Sequence, residues 1–315
     1  MYHTGGVAMK IRHVIALLAA AMMISPAAMA LPVMIEGAGG GGLNPWALIA
    51  NGSTKHIVTP SVFGTFGTTP HYDLYSVGAN LSISKYAEVY YAHQYMGLPE
   101  SMTTTLTTGA TDGFLPSNVT DLNSVEQDII GGKLQVYPGS GLIPAVAVGM
   151  NYHMTSAPLP LAMTAHANGA DYYVTGTGIY PLFNSHIILS GDVYITRSNY
   201  LGLLGQGGMG HRSYTAQGGA SVGYFVTKDV VVGAEWRSFP GNNLAAAQAY
   251  LQQKMSDPGV NLKQSDWYDG FVAYMPNPKF SVVGAILDLG NMANLPGYSN
   301  NANQNGFYLS MNAAF

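Results

Sequence analysis

The chain has 315 residues, 48% apolar and only 9% charged, with 39 glycines, 21 tyrosines and no cysteine. Soluble domains carry about 25% charged residues, so a water-soluble globule is disfavoured, and the apolar fraction with a net charge of −4 excludes disorder. Twelve basic against sixteen acidic side chains leave no basic surface for nucleic acid, and none is expected as a partner.

Taken in chain order, the first element is an address. Met9-Lys10-Ile11-Arg12-His13 is basic, Val14 to Ile24 is apolar, and Ala28-Met29-Ala30 is a small-residue cleavage pattern. Residues 1–30 therefore read as a cleaved signal peptide with Met9 as the start, the apolar run being shorter than a spanning helix requires. Leu31 rather than cysteine follows the site, so no lipid anchor is expected. Residues 31–315 then carry 10 basic and 16 acidic side chains, and the patterns below lead to the expectation of one outer-membrane β-barrel domain over that span.

Residues 31–54 are ambiguous. Pro32 to Gly37 could be a short first strand, and Gly39 to Gly42 either a tight loop or part of a segment folded inward. Period-two segments follow near 45–51, 56–66, 71–83, 86–96, 126–137, 142–153, 169–180 and 186–196. More lie near 212–225, 229–238, 265–275, 279–289 and 304–315, each close to the ~9–11 residues of a tilted spanning strand. Since single-chain bacterial barrels have an even number of strands, the thirteen segments become fourteen with Pro32–Gly37. They become twelve if residues 31–54 fold into the lumen. The expectation is an all-β, antiparallel transmembrane barrel of about 14 strands, with 12 as the alternative.

Alternation is plainest in two places. Val230, Val232, Ala234 and Trp236 oppose Val231, Gly233, Glu235 and Arg237; Ile187, Leu189, Val193 and Ile195 oppose Ser190, Asp192 and Thr196. Turns rich in Pro and Gly alternate with long polar loops at 97–125, 154–168, 197–211, 239–264 and 290–303, the asymmetry of a barrel with short periplasmic turns and longer external loops. One helical pattern, Asn243 to Met255, lies in such a loop; Asn243 is its expected cap and Asp257-Pro258-Gly259 its stop. The last strand sets Phe307, Leu309, Met311 and Phe315 on one face, resembling the C-terminal signal read by the barrel-insertion machinery.

Glu36 to Ala47, Asp171-Tyr172-Tyr173, Thr196 to Asn199 with Gly202 to Gly205, Val232 to Arg237, Asp266 to Asp269 and Asp288 to Asn291 resemble, in order, an uncharacterised Gram-negative family, domain of unknown function 3034. The resemblance runs over about residues 34–315 and implies an outer-membrane barrel, but no activity. Longer insertions near 97–125 and 239–264 and a shorter lead-in before Glu36 depart from the family pattern.

Alternation aims Glu88, Lys133, Asp192, Glu235, Arg237, Asp269 and Asp288 at the lumen, either as a salt-bridged plug or as a cation-preferring pore lining. Tyr72, Tyr75, Tyr95, Tyr137, Tyr152, Tyr180, Tyr268 and Tyr274 suit an interfacial girdle, or stacking with a ligand. Gly205 to Gly210 matches G-x-G-x-x-G and Gly219 to Gly223 matches G-x-S-x-G, but neither lies between a strand and a helix. No histidine pair has metal-ligand spacing, so no metal, cofactor or catalysis is expected. The expected role is passive passage of a small solute through a monomeric barrel held in outer-membrane lipid. A hydrolase using rim residues His153, His211 and Asp171, or a sealed adhesive barrel acting through its loops, are the competing readings.

Overall fold

The computed structural model describes residues 31–53, 56–98, 124–156, 164–209, 212–239, 243–292 and 303–315. Residues 1–30, and with them the expected signal peptide, lie outside that set. The strands are β1 (Val58–Thr68), β2 (Asp73–Ile83), β3 (Ala87–Gly97), β4 (Ser124–Tyr137), β5 (Ala145–Ser156) and β6 (Asn168–Leu182). They continue as β7 (Ser185–Thr196), β8 (Thr215–Phe225), β9 (Val230–Arg237), β10 (Trp267–Asn277), β11 (Phe280–Asp288) and β12 (Asn305–Ala314), with one helix, α1 (Ala245–Met255), before β10.

Each strand pairs antiparallel with its chain neighbours, and β1 closes the sheet onto β12 in a register that sets Phe66 opposite Leu309. The barrel therefore has 12 strands, the alternative, and not the expected 14. Residues 45–51 and 32–37 are not strands of the wall. They belong to an inner segment, residues 31–53, whose ladder-like contacts among the described residues are the isolated bridges Val33↔Gly39 and Gly40↔Pro45. The sequence pattern misled there because an apolar, glycine-rich stretch is compatible with either a wall strand or a buried coil.

Why the wall forms is visible along any strand. In β9, Val231, Glu235 and Arg237 are buried while Val232 and Trp236 lie on the outside. Across β5, β6 and β7, Val148, Val174 and Val193 stand in register and are 38%, 51% and 52% exposed, part of a continuous apolar outer band. Inward positions carry Ser, Thr, Asn, Gln and charged groups, interspersed with aromatic and aliphatic side chains such as Phe63, Ile188, Val231 and Phe271. Proline marks one irregularity: the β10–β11 register shifts between Tyr274 and Asn277, where Pro276 has no N–H for the ladder.

Connections 84–86, 138–144, 183–184, 226–229 and 278–279 gather at one end, with the start of β1 and the end of β12. Three of these turns contain left-handed residues: Ser84 (φ 52°), Phe183 (φ 52°), and Gly139 and Gly141 (φ 82° and 60°). The opposite end carries the connections after β3, β5, β7, β9 and β11; only that between β1 and β2 is short there. Helix α1 starts two residues beyond the expected Asn243. Leu244 occupies the cap position and has no polar side-chain atom to offer, while Asn243 Nδ2 donates to Arg197 O at 3.2 Å. The helix ends at Ser256, whose φ of 49° is left-handed.

That end is roofed by apolar side chains. Tyr200, Leu203 and Leu204 from the connection after β7 join Leu244, Leu251 and Trp267 in one buried cluster that reaches Leu43 of the inner segment. The 198–207 stretch is held down by Gln127 Nε2 donating to Leu201 O (3.0 Å) and Thr155 Oγ1 donating to Gly202 O (2.7 Å).

Candidate functional site: the filled lumen

Residues 31–53 enter at the short-turn end and occupy the barrel interior, with Val33, Met34, Glu36, Ala38, Asn44, Trp46 and Ala50 all buried. An inner segment can stay inside only if its backbone polar groups find partners on the wall. The inward side chains of the strands supply them.

Glu88 on β3 and Lys133 on β4 face each other in register and pair at 2.9 Å with no side-chain exposure. Both reach the inner segment. Glu88 accepts the N–H of Gly39 and of Ala50, each at 2.7 Å. Lys133 Nζ donates to Gly39 O (2.7 Å) and Trp46 O (2.9 Å). Two side chains thus clamp four backbone groups on both sides of the glycine run.

Glu235 forms the second clamp. It accepts the N–H of Gly42 (2.5 Å) and of Leu43 (2.7 Å), and Ser221 Oγ at 2.6 Å. The glycines are required by this approach: a Cβ on Gly41 would run into the Glu235 carboxylate, and one on Gly42 into the Tyr308 hydroxyl. Ser221, the serine of G-x-S-x-G, is therefore a mid-strand donor to a carboxylate. Gly205 and Gly207 (φ 71° and 66°) serve a left-handed loop turn, with a strand and not a helix following.

Glu36 is the inner segment's own buried charge. Arg237 Nη1 donates to it at 3.3 Å and to Leu43 O at 2.8 Å, with the guanidinium 4.2 Å above the Tyr194 ring. Asn151 Nδ2 donates to the other oxygen at 3.2 Å. His153 Nε2 lies 3.5 Å from Glu36 Oε1 and 3.1 Å from Asp171 Oδ2. Asp171 also accepts Thr196 Oγ1 (2.5 Å) and Ser198 Oγ (2.7 Å).

The candidates divide as follows. Glu88, Lys133, Asp192, Glu235, Arg237 and Asp269 are buried in the interior. Asp288 is not. It ends β11 in the outward register of Ile286, exposed, and accepts the N–H of Gly290 at 2.8 Å; the sequence pattern failed there because alternation ceases to fix a face at a strand end. Asp269 stands opposite Glu235 and accepts Tyr308 OH at 3.0 Å, so the expected grouping of Glu235, Arg237 and Asp269 holds in space. Arg237, however, pairs with Glu36, a residue the sequence did not single out as luminal.

His153 and Asp171 do meet, but at 0% and 1% exposure beneath the 199–206 turn rather than at an open rim. His211 lies outside the described residues. Tyr72 is buried, donating to Met292 O at 3.0 Å, and is no girdle residue. Tyr152, Tyr268 and Tyr274 are 40%, 50% and 49% exposed on the outer face. Missed were the luminal tyrosines. Tyr90 OH donates to Asn151 Oδ1 at 2.5 Å and sits 3.2 Å from Tyr173 OH, and Tyr194 and Tyr308 also point inward. Their even spacing with Glu88, Asp171 and Asp192 was the available signal. On the C-terminal strand, Phe307 and Leu309 face outward at 52% and 42% exposure.

A cavity of about 60 Å³ remains toward the long-loop end, lined mainly by Ile35, Leu43, Leu74, Met96, Leu203 and Trp267. Among the described residues, no three His, Asp or Glu side chains converge as a metal cluster.

The backbone resembles several solved outer-membrane proteins. For the KdgM porin in complex with disordered oligogalacturonate the TM-score is 0.45 at 6% identity, over 81% of this chain and 99% of that one. For the COG4313 outer membrane channel from Pseudomonas putida F1 it is 0.44 at 10% identity, over 87% and 97%. For the Acinetobacter baumannii outer membrane protein Omp33 it is 0.42 at 9% identity, over 82% and 98%. TM-scores below 0.5 carry nothing about what this chain does. No curated protein sequence matches it. Residues 32–312 match the family described as "Protein of unknown function (DUF3034)", and over that span, nearly the whole of the described structure, the chain belongs to this family.

Proposed function

We propose that this chain is a Gram-negative outer-membrane barrel, exported by a cleaved signal peptide, which passes small solutes and rests closed on its own N-terminal segment. The observation that carries the reading is the pairing of a polar inner wall with a filling that is not part of the wall. Residues 31–53 contribute no strand to the closed sheet and join it only through the start of β1. Their departure would break side-chain bonds and apolar contacts but no ladder, and would leave a barrel lined by Ser, Thr, Asn, Gln and charged groups together with tyrosines and an apolar patch around Ile188, Val231 and Phe271.

The apolar outer band supports insertion in lipid, and the C-terminal strand with Phe307, Leu309, Met311 and Phe315 suits the insertion machinery. The reading takes the barrel as a monomer without cofactor or catalysis; His153 and Asp171 hold Glu36 and Ser198 in place. Replacing Val174, in the middle of the outer band, by Lys should destabilise the protein in a lipid bilayer by about 2–4 kcal/mol. Urea unfolding from vesicles measures this, and an unchanged midpoint would contradict a lipid-facing wall.

Solute passage is tested by swelling of proteoliposomes in small sugars. Wild type should swell slowly and Lys133→Met, which loosens the clamp on residues 39–50, faster. A second reading, a sealed barrel acting through its loops, is favoured by the apolar roof over the long-loop end. It requires that no variant of the inner segment's clamps changes swelling.

A further inference from the structure

The buried carboxylates of the interior are not equally compensated. Glu88 has Lys133, Glu36 has Arg237, Asp171 has His153 with two hydroxyls, Glu235 has two N–H groups and Ser221, and Asp269 has Tyr308. Asp192 on β7 is 6% exposed, and neither oxygen has a hydrogen-bond partner or an ion pair among the described residues. Arg237, across Gly219 in the register, acts on it through its charge but makes no hydrogen bond or ion pair with it, its Nη1 being engaged with Glu36 and Leu43 O.

Opposite Asp192 in the β7–β8 register is Gly219, which leaves a space where a side chain would otherwise stand. A Cβ there would run into both Asp192 oxygens and into Asn44 Oδ1. Asn44 is fully buried on the inner segment, and its orientation is fixed by its own donors. Asn44 Nδ2 donates to Trp236 O (3.0 Å) and Ala220 O (3.2 Å), which commits both amide hydrogens to the wall and leaves Oδ1 facing the carboxylate without a partner. Three acceptors converge in this buried space with no donor bonded to them, and they repel one another unless something positive lies among them.

We propose that this space binds a small monovalent cation, sodium, between Asp192 of the wall and Asn44 of the inner segment. The donor set is oxygen only, which selects a hard cation over a transition metal. A single carboxylate balances one positive charge, and a monovalent ion is therefore fitted better than a divalent one. Because one ligand comes from the wall and the other from the inner segment, the ion ties the two together. The proposal does not rest on solute passage, since it is read from stability alone.

The test compares thermal unfolding of the full protein in sodium chloride with that in choline chloride at equal ionic strength. Sodium should raise the midpoint by about 2–4 °C over choline, and Asp192→Asn, which removes the charge while keeping the shape, should abolish the difference. Asn44→Ser, which withdraws the amide oxygen but keeps the carboxylate, should at least halve it and serves if Asp192→Asn fails to fold. Equal midpoints in sodium and choline, a sodium effect that survives in the variants, or a rise seen with calcium but not sodium would each overturn the assignment.

Discussion

Replacing Lys133 by Met is expected to weaken the seating of residues 31–53 by about 3–5 kcal/mol, the cost of leaving one member of a buried ion pair without the other. The ammonium group has no exposure, and it neutralises Glu88 while holding two backbone carbonyls of the inner segment, at Gly39 and Trp46. Methionine fills most of the volume, so the loss is electrostatic rather than a cavity. Glu88 keeps the N–H groups of Gly39 and Ala50, which locates the damage in the clamp and not in the sheet. Limited proteolysis should cut the variant within residues 31–53 while its strand circular dichroism is unchanged. Adding Glu88→Gln should recover part of the loss, because removing both charges costs less than removing one. Equal protease protection of Lys133→Met and wild type would show that the pair is not what holds the segment.

Arg237→Leu should be comparably severe, again about 3–5 kcal/mol. The guanidinium is the one full cation against Glu36, bonds the Leu43 carbonyl, and lies over the Tyr194 ring. Without it Glu36 is a buried carboxylate left with Asn151 and His153. Arg237→Lys should recover little, since an ammonium cannot both bridge two acceptors and stack on the ring. The double variant Glu36→Gln/Arg237→Leu should be more stable than Arg237→Leu alone. Urea titrations of the four proteins supply the cycle, and simple additivity would refute direct coupling between residues 36 and 237.

The wall was legible in the sequence because a half-buried strand writes its environment every second residue. Val230 to Arg237 and His186 to Thr196 each identify the inner face without reference to any partner, and six of the seven charges assigned to the lumen are inside. The filling was not legible to the same degree. Its apolar residues lack a period, its glycines serve close approach to Glu235 and Tyr308, and its one charge, Glu36, gains meaning only from Arg237, some 200 positions along the chain. Strand count failed for that reason: Trp46 and Ile49 are as apolar as wall residues, but they are buried in the interior. The luminal tyrosines were hidden by a similar ambiguity. Tyr90 and Tyr173 donate or accept inside the barrel, whereas Tyr152 and Tyr268 face outward, and residue type alone does not separate the two sets.

The inner segment and the Asp192 space share a logic. Every inward charge but Asp192 bonds a group of residues 31–53 or stands beside a side chain that does, so the wall's polarity and the segment's glycines are complementary. Loops on the long-loop end add an apolar seal above them, through Leu43 and Leu203. Release of the segment would expose these charges to water, where they cost little, and would also uncover the apolar contacts of Val33, Met34 and Trp46 with the wall. The filling adds no ladder bond to the wall, and that separates a closure from the core of a permanently solid barrel.

Single-channel conductance in planar bilayers tests this most directly, comparing residues 31–315 with residues 54–315, which lack the inner segment. The account predicts a mostly silent longer protein and steady steps from the shorter one, with cation preference from the surplus of acids over bases that line it. Steady large conductance from 31–315, or silence from a 54–315 barrel shown to be folded and inserted, would contradict it.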